Sequence, residues 1–186
     1  MSARYREIQS GYADHMRLDY NDVMTSPAAT LRRARISDII SLRTLFVHAL
    51  DTDFMYFPSS YIKKVKKQHS VARLSVSLLK KQRIVLLALM NRRIVGYMVG
   101  SGHPDGVGEV YWLYVHPSER RQRLGSKLLQ SAVQELRNQG MNSIKLMTHQ
   151  SEEYYAKHGF ESVGIYKIDG LEVTIMQLSL RGEKHD

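Results

Sequence analysis

The chain has 186 residues, 43% of them hydrophobic and 24% charged; that balance suits one globular domain with its own core and excludes a disordered chain. It contains no cysteine, which excludes a disulfide scaffold, a cysteine-ligated zinc site and a thiol nucleophile. The formal net charge of +9 is concentrated: residues 54 to 104 hold ten basic side chains (Lys63, Lys64, Lys66, Lys67, Arg73, Lys80, Lys81, Arg83, Arg92 and Arg93) and no Asp or Glu, while the flanking segments are close to neutral.

No run approaches the roughly 18 apolar residues of a membrane helix, and the first twenty residues show no apolar stretch behind their charges. A soluble, cytoplasmic protein with no membrane partner is expected. Residues 1–27 read as an N-terminal extension ending in Thr25-Ser26-Pro27, and residues 28–186 as a single domain.

Leu31 to Arg35 is the first strand expected. Ser37 is placed as an N-cap with Asp38 in the first turn, and Ile39, Ile40, Leu42, Leu45, Phe46 and Leu50 follow at helical spacing. Pro58, Ser59 and Ser60 open a basic amphipathic helix, with apolar Tyr61, Ile62, Val65, Ala72, Val76 and Leu79 and a break near His69 and Ser70. Ile84 to Met90 is an almost continuous apolar strand, turned by Asn91-Arg92-Arg93 into a return strand, Ile94 to Gly100. A glycine-rich loop leads to a strand over Glu109 to Val115. Gly125 to Gln139 is a helix with Gly140 after it. Ser143 to Thr148 is a strand, Ser151 to Lys157 a short helix, and Phe160 to Ile168 and Leu171 to Leu180 two strands joined by Asp169-Gly170. The order β-α-α-β-β-β-α-β-α-β-β predicts an α/β (α+β) fold, with a mixed central sheet flanked by helices.

The stretch Val115-His116-Pro117-Ser118-Glu119-Arg120-Arg121-Gln122-Arg123-Leu124-Gly125-Ser126 carries the chemistry. It is a strand, a sharp loop and a helix N-terminus, where free N–H groups and the macrodipole favour an anion. Three arginines crowd the loop, and guanidinium pairs with phosphate in bidentate geometry. A pyrophosphate-bearing cofactor is the natural guest; a plain solvated surface is the other reading of the same arginines.

At this point the sequence resembles the GNAT acetyltransferases. Val115, Pro117, Arg120, Gly125, Leu128 and Leu129 match the family's Val-x-Pro-x-x-Arg-Gly-x-Gly-x-Gly/Ala-x-x-Leu-Leu signature. Two positions that are usually glycine there are Arg121 and Arg123. The segment Tyr154-Tyr155-Ala156-Lys157-His158-Gly159-Phe160 is similar to the family's Phe-Tyr-x-Lys-x-Gly-Phe.

The resemblance implies acetyl-CoA as cofactor, CoA as product and no metal. The loop Arg120, Arg121, Gln122, Arg123, Leu124, Gly125 and Ser126 would bind the pyrophosphate, and the backbone of Leu113, Tyr114 and Val115 the pantetheine arm. It also implies Tyr155 as the group that protonates the leaving thiolate and Glu109 as the base; His116 and His149, near the strand ends, are alternative bases. Without a cysteine, direct attack by the amine in a ternary complex is the simple route. The acceptor is then a small-molecule or peptide amine. If the basic helix walls the acceptor side, an anionic acceptor is favoured over polycations. A homodimer is compatible. Two other readings stand beside the enzyme: a CoA-binding sensor without catalysis, and an acidic-surface or nucleic-acid binder on the same scaffold. Nucleic acid is disfavoured because the aromatics sit at the edge of the basic stretch.

Overall fold

The computed structural model describes residues 29–81 and 83–180. The extension expected over residues 1–27 lies outside the described residues. The elements are β1 (Thr30–Arg33), α1 (Ile39–Thr52), α2 (Ser59–Gln68), α3 (Val71–Leu79), β2 (Ile84–Met90), β3 (Arg93–Gly102), β4 (Val107–Val115), α4 (Leu124–Asn138), β5 (Ser143–Thr148), α5 (Glu152–Ala156), β6 (Glu161–Ile168) and β7 (Leu171–Ser179). Seven strands form one mixed sheet in the order β1-β2-β3-β4-β5-β7-β6. Every neighbouring pair is antiparallel except β4 and β5, because α4 carries the chain back between them.

The expected element order holds, with one local correction. The break expected near His69 and Ser70 divides the basic stretch into two helices: α2 stops at Gln68, His69 turns out of helical geometry and Ser70 is extended. Ser37 is not an N-cap, because a 3₁₀ turn over Ile36–Asp38 precedes α1. Asp38 closes that turn by accepting from the Arg35 amide at 2.6 Å and pairing bidentately with Arg32 at 2.7 and 2.8 Å. The Arg32 hydrogen bond outweighs partial burial and holds the Asp38 carboxyl below the usual carboxylate range.

Two cores cover the two faces of the sheet. Leu128, Leu129, Ala132 and Leu136 of α4 pack on Leu86, Met98, Val110 and Ile144. Leu42, Phe46 and Leu50 of α1 and Val65 of α2 pack on Leu87, Tyr97, Trp112 and Tyr114. Burial on both faces explains why β2 reads as an unbroken apolar run rather than an alternating one. The β2–β3 hairpin turns through Asn91 and Arg92 at φ 48° and 64°, a left-handed pair that matches the twist of the strands.

One irregularity shapes everything that follows. On β3 the consecutive residues Val99 and Gly100 face Trp112 and Val110, so Tyr111 is an extra residue on β4. Such a bulge bends its strand. The parallel β4–β5 ladder runs only from Val107 opposite Ser143 to Val110 opposite Leu146. Past it, β4 stays with β3 to Val115 and β5 stays with β7 to Thr148. The two central strands therefore splay, and their facing backbone edges beyond Val110 and Leu146 are left unpaired by the sheet.

Candidate active site

The splay opens on a cavity of about 550 Å³. Leu113, Leu146, Met147 and Tyr155 line the part between the strands. Phe54, Tyr56, Phe57, Tyr61 and Trp112 give the other side an aromatic wall. Those aromatics come from the α1–α2 connection, the start of α2 and the bulged part of β4. They pack edge-on or tilted against one another, Phe54 on Trp112 at 5.4 Å and Phe57 on Tyr61 at 4.9 Å. Ile168 of β6 and Val173 of β7 also line the cavity, and the turn between those strands is tied to α2, where Ser60 Oγ donates to Asp169 at 2.9 Å.

The turn from β4 into α4 lies at the end of the splay. Residues 117–119 form a 3₁₀ turn, and Arg121 and Arg123 then take φ of 64° and 59°. Among the described residues, the backbone amides of residues 121 to 126 donate to no protein acceptor, and the first amide of the helix to be paired is that of Lys127, to the Arg123 carbonyl at 3.0 Å. Six amides around a helix N-terminus make a concave anion site. The side chains of Arg121 and Arg123 are exposed beside it, with no carboxylate partner among the described residues. The residues present therefore fit a pyrophosphate.

The left-handed φ at Arg121 and Arg123 explains why glycine is usual at those two places in the pattern the sequence resembles. A non-glycine residue in that region is strained by about 1–2 kcal/mol, partly offset by the greater chain entropy that glycine loses on folding. Arg123→Gly is therefore expected to stabilise the unliganded chain by about 0.5–1 kcal/mol, a rise of about 1–4 °C in thermal melting. A lower melting temperature would mean that the Arg123 side chain makes contacts outweighing the strain.

The other loop residues divide by role. Arg120 is turned away from the amides: its Nε donates to the Val115 carbonyl at 3.0 Å and its guanidinium pairs with Asp53 at the end of α1. Tyr114 Oη donates to the same carboxylate at 3.1 Å. Burial works to raise the Asp53 pKa, but the hydrogen bonds from Arg120 and Thr52 outweigh it and leave the carboxyl below its ordinary value. Arg120 thus braces the loop against α1. Gln122 Nε2 donates to Glu119 at 3.1 Å. Leu124 is buried and anchors α4, leaving only its amide for a ligand. At Gly125 a Cβ would sit 3.1 Å from Tyr154 Oη, so this glycine makes room for a protein side chain as well as for a ligand. Ser126 Oγ is 3.0 Å from His158 Nε2.

Tyr155 lies on α5, between Tyr154 at 5.1 Å and Phe160 at 5.9 Å, and faces the cavity. Burial, with smaller contributions from Tyr154 and Tyr56, pushes its phenol well above the ordinary tyrosine range, so it stays protonated and can donate. Glu109 also faces the cavity, but its setting is polar. Its carboxylate is 3.3 Å from His103 Nε2 and its side chain is 42% exposed. Of the alternative bases, His149 lines the cavity, with its Nδ1 donating to the Glu172 carbonyl at 2.9 Å. His116 does not line it; that ring accepts from the Ser118 amide at 3.3 Å and stacks on His48.

Several cavity residues are not singled out by the sequence. His69 and Arg83 come together from a helix end and a strand start, and Tyr111 is exposed to the cavity by the bulge. Of the glycines inside β3, Gly100 sits opposite that bulge and is its sequence signal. The aromatic wall was visible as Phe54, Tyr56, Phe57 and Tyr61, but not as the lining of a site. The lysines of α2 do not form that wall: Lys63, Lys64 and Lys67 are exposed on its outer face.

The profile of the acetyltransferase (GNAT) family matches residues 46–160. The chain belongs to the GNAT acetyltransferase family. It is an acyltransferase, and solved acetyltransferases share its fold. PaiA N-acetyltransferase from Thermoplasma acidophilum, solved in complex with coenzyme A, superposes with a TM-score of 0.68 at 20% identity, over 82% of this chain and 99% of that one. A GNAT acetyltransferase from Streptococcus pneumoniae gives 0.67 at 21%, over 83% and 100%. Ribosomal-protein-alanine N-acetyltransferase from Brucella melitensis gives 0.64 at 18%, over 81% and 99%. No curated protein matches the chain. No helix of this acetyltransferase, among the described residues, is long and apolar enough to cross a membrane.

Proposed function

We propose that residues 28–186 form an N-acetyltransferase domain that passes an acetyl group from acetyl-CoA to a primary amine in a ternary complex. One observation carries the reading: the unpaired edges of β4 and β5 run from the amide-lined turn at residues 121–126 to a cavity on which Tyr155 and Glu109 both open. A pyrophosphate held by those amides and by the exposed Arg121 and Arg123 leaves a thioester arm to lie along the splay.

Bound there, acetyl-CoA supplies an activated acetyl group: the amine nitrogen forms a bond to the carbonyl carbon, the carbon–sulfur bond breaks, and the products are an N-acetyl amine and the CoA thiol. The free β4 edge offers backbone N–H groups to the negative charge that develops on the carbonyl oxygen. Glu109 takes the proton that the amine must lose, directly or through water, with His103 3.3 Å away to share it. Tyr155 gives a proton to the departing sulfur. Lacking a cysteine, the chain holds no thiol for a covalent route.

Acetyl-CoA at about a hundred times its Kd is expected to stabilise the chain by about 2.7 kcal/mol, a rise of about 5–11 °C in melting temperature. A chain that melts at the same temperature with and without saturating acetyl-CoA would contradict the proposal.

A further inference from the structure

Of the ten basic side chains between residues 54 and 104, Arg83 alone lines the cavity. Its Nη1 lies 3.2 Å from His69 Nε2, and His69 Nδ1 lies 3.0 Å from the Val65 carbonyl. A carbonyl only accepts, so Nδ1 carries the hydrogen and Nε2 is free to accept from the guanidinium. Burial lowers the His69 pKa, and the Arg83 and Arg43 charges add to that against the Val65 hydrogen bond, so the ring remains a neutral acceptor. On its other side the guanidinium lies 5.6 Å from the centre of the Tyr111 ring. Among the described residues no carboxylate pairs with it. One donor is used and the rest of the fork is free, a geometry suited to a carboxylate.

Tyr111 links this cation to an anion. Its Oη is 2.7 Å from Ser101 Oγ and 3.1 Å from His103 Nε2, the nitrogen that faces Glu109. Arg83 over the Tyr111 ring and Glu109 beside its hydroxyl end thus present both signs of charge on one wall, within the span of a small molecule. The aromatic wall of Phe54, Tyr56, Phe57, Tyr61 and Trp112 completes the cavity.

Building on the acetyl-transfer reading, we infer that the acceptor is an amine that also carries a carboxylate, of the α-amino acid class, with an aromatic or large apolar side chain. Arg83 holds the carboxylate, Glu109 draws the amine, and the side chain packs against the aromatic wall. His69 is a positioning residue that aims the guanidinium.

The test uses the full chain with saturating acetyl-CoA and compares kcat/KM for L-phenylalanine with that for phenethylamine, which has the same ring and amine without the carboxylate. L-tryptophan and tryptamine form a second pair. The amino acid is expected to be favoured by about tenfold or more, the scale of one charge-assisted contact, and Arg83→Gln to bring the ratio close to one. The wild-type ratio needs no variant, so it stands even if Arg83→Gln folds poorly. Equal or reversed preference in the wild type would overturn the inference. So would refusal of both amino acids while acetyl-CoA still raises the melting temperature. If that rise is absent as well, the acetyl-transfer reading falls and takes this inference with it.

Discussion

Replacing Tyr155 by phenylalanine is expected to lower kcat about 100-fold or more, the lower end of what a positioned proton donor contributes, while leaving KM for acetyl-CoA nearly unchanged. The ring is held by Tyr154 and Phe160, and phenylalanine keeps those contacts, so melting should shift by no more than a hydrogen bond's worth, about 1 kcal/mol. The loss would then be in the chemistry. The sign with pH follows from the raised pKa. The protonated phenol is the working form, and burial keeps it protonated beyond the ordinary tyrosine value of about 10, so Tyr155 itself imposes no alkaline fall in rate in the neutral range. Retention of full activity by Tyr155→Phe would reduce Tyr155 to a packing residue.

The second large effect is expected at Gly100, which has no side chain to take part in the reaction. A Cβ built there would lie 2.5 Å from the Glu109 carbonyl oxygen, which is backbone and cannot swing aside. Gly100→Ala must therefore push β3 from β4 at the bulge that bends β4 away from β5. The expected destabilisation is about 2–3 kcal/mol, at the upper end of overpacking costs, or about 4–12 °C in melting temperature. Because the bulge sets where the β4–β5 ladder stops, the remaining folded protein should also bind acetyl-CoA at least tenfold more weakly. An unchanged affinity would mean that the splay does not depend on this glycine. Thermal melts with and without acetyl-CoA read both numbers.

These two residues differ in how far the sequence exposes them. Tyr155 sits in a seven-residue pattern, so its place could be read directly, as could the turn from Val115 to Ser126. Both are local: a short run of residue types determines a local backbone conformation, and the element order follows from hydrophobic period and turn chemistry. The bulge at Tyr111 is not local. It arises because Gly100 lets two strands approach, and strand pairing across ten residues is not written in either strand alone. For the same reason Arg120 was legible as part of the turn before α4, but its partner Asp53, 67 positions earlier, was not. Nor was the meeting of His69 with Arg83. The charge pattern illustrates the limit most clearly. Ten basic residues in one segment suggested a basic wall on the acceptor side, yet amphipathic packing turns Lys63, Lys64 and Lys67 outward, and the wall is aromatic with Arg83 as the one basic side chain that segment brings to the cavity.

The account rests on acetyl transfer to an amine at the splay of β4 and β5, and the most direct measurement is amine-dependent release of CoA thiol from acetyl-CoA by the full chain, with the acetylated product identified by mass. The account predicts thiol release that rises with amine concentration, one N-acetyl product per thiol, and loss of both in Tyr155→Phe. Thiol release that no amine in a broad panel increases, from a chain whose melting temperature acetyl-CoA does raise, would contradict it and leave a CoA-binding protein in its place.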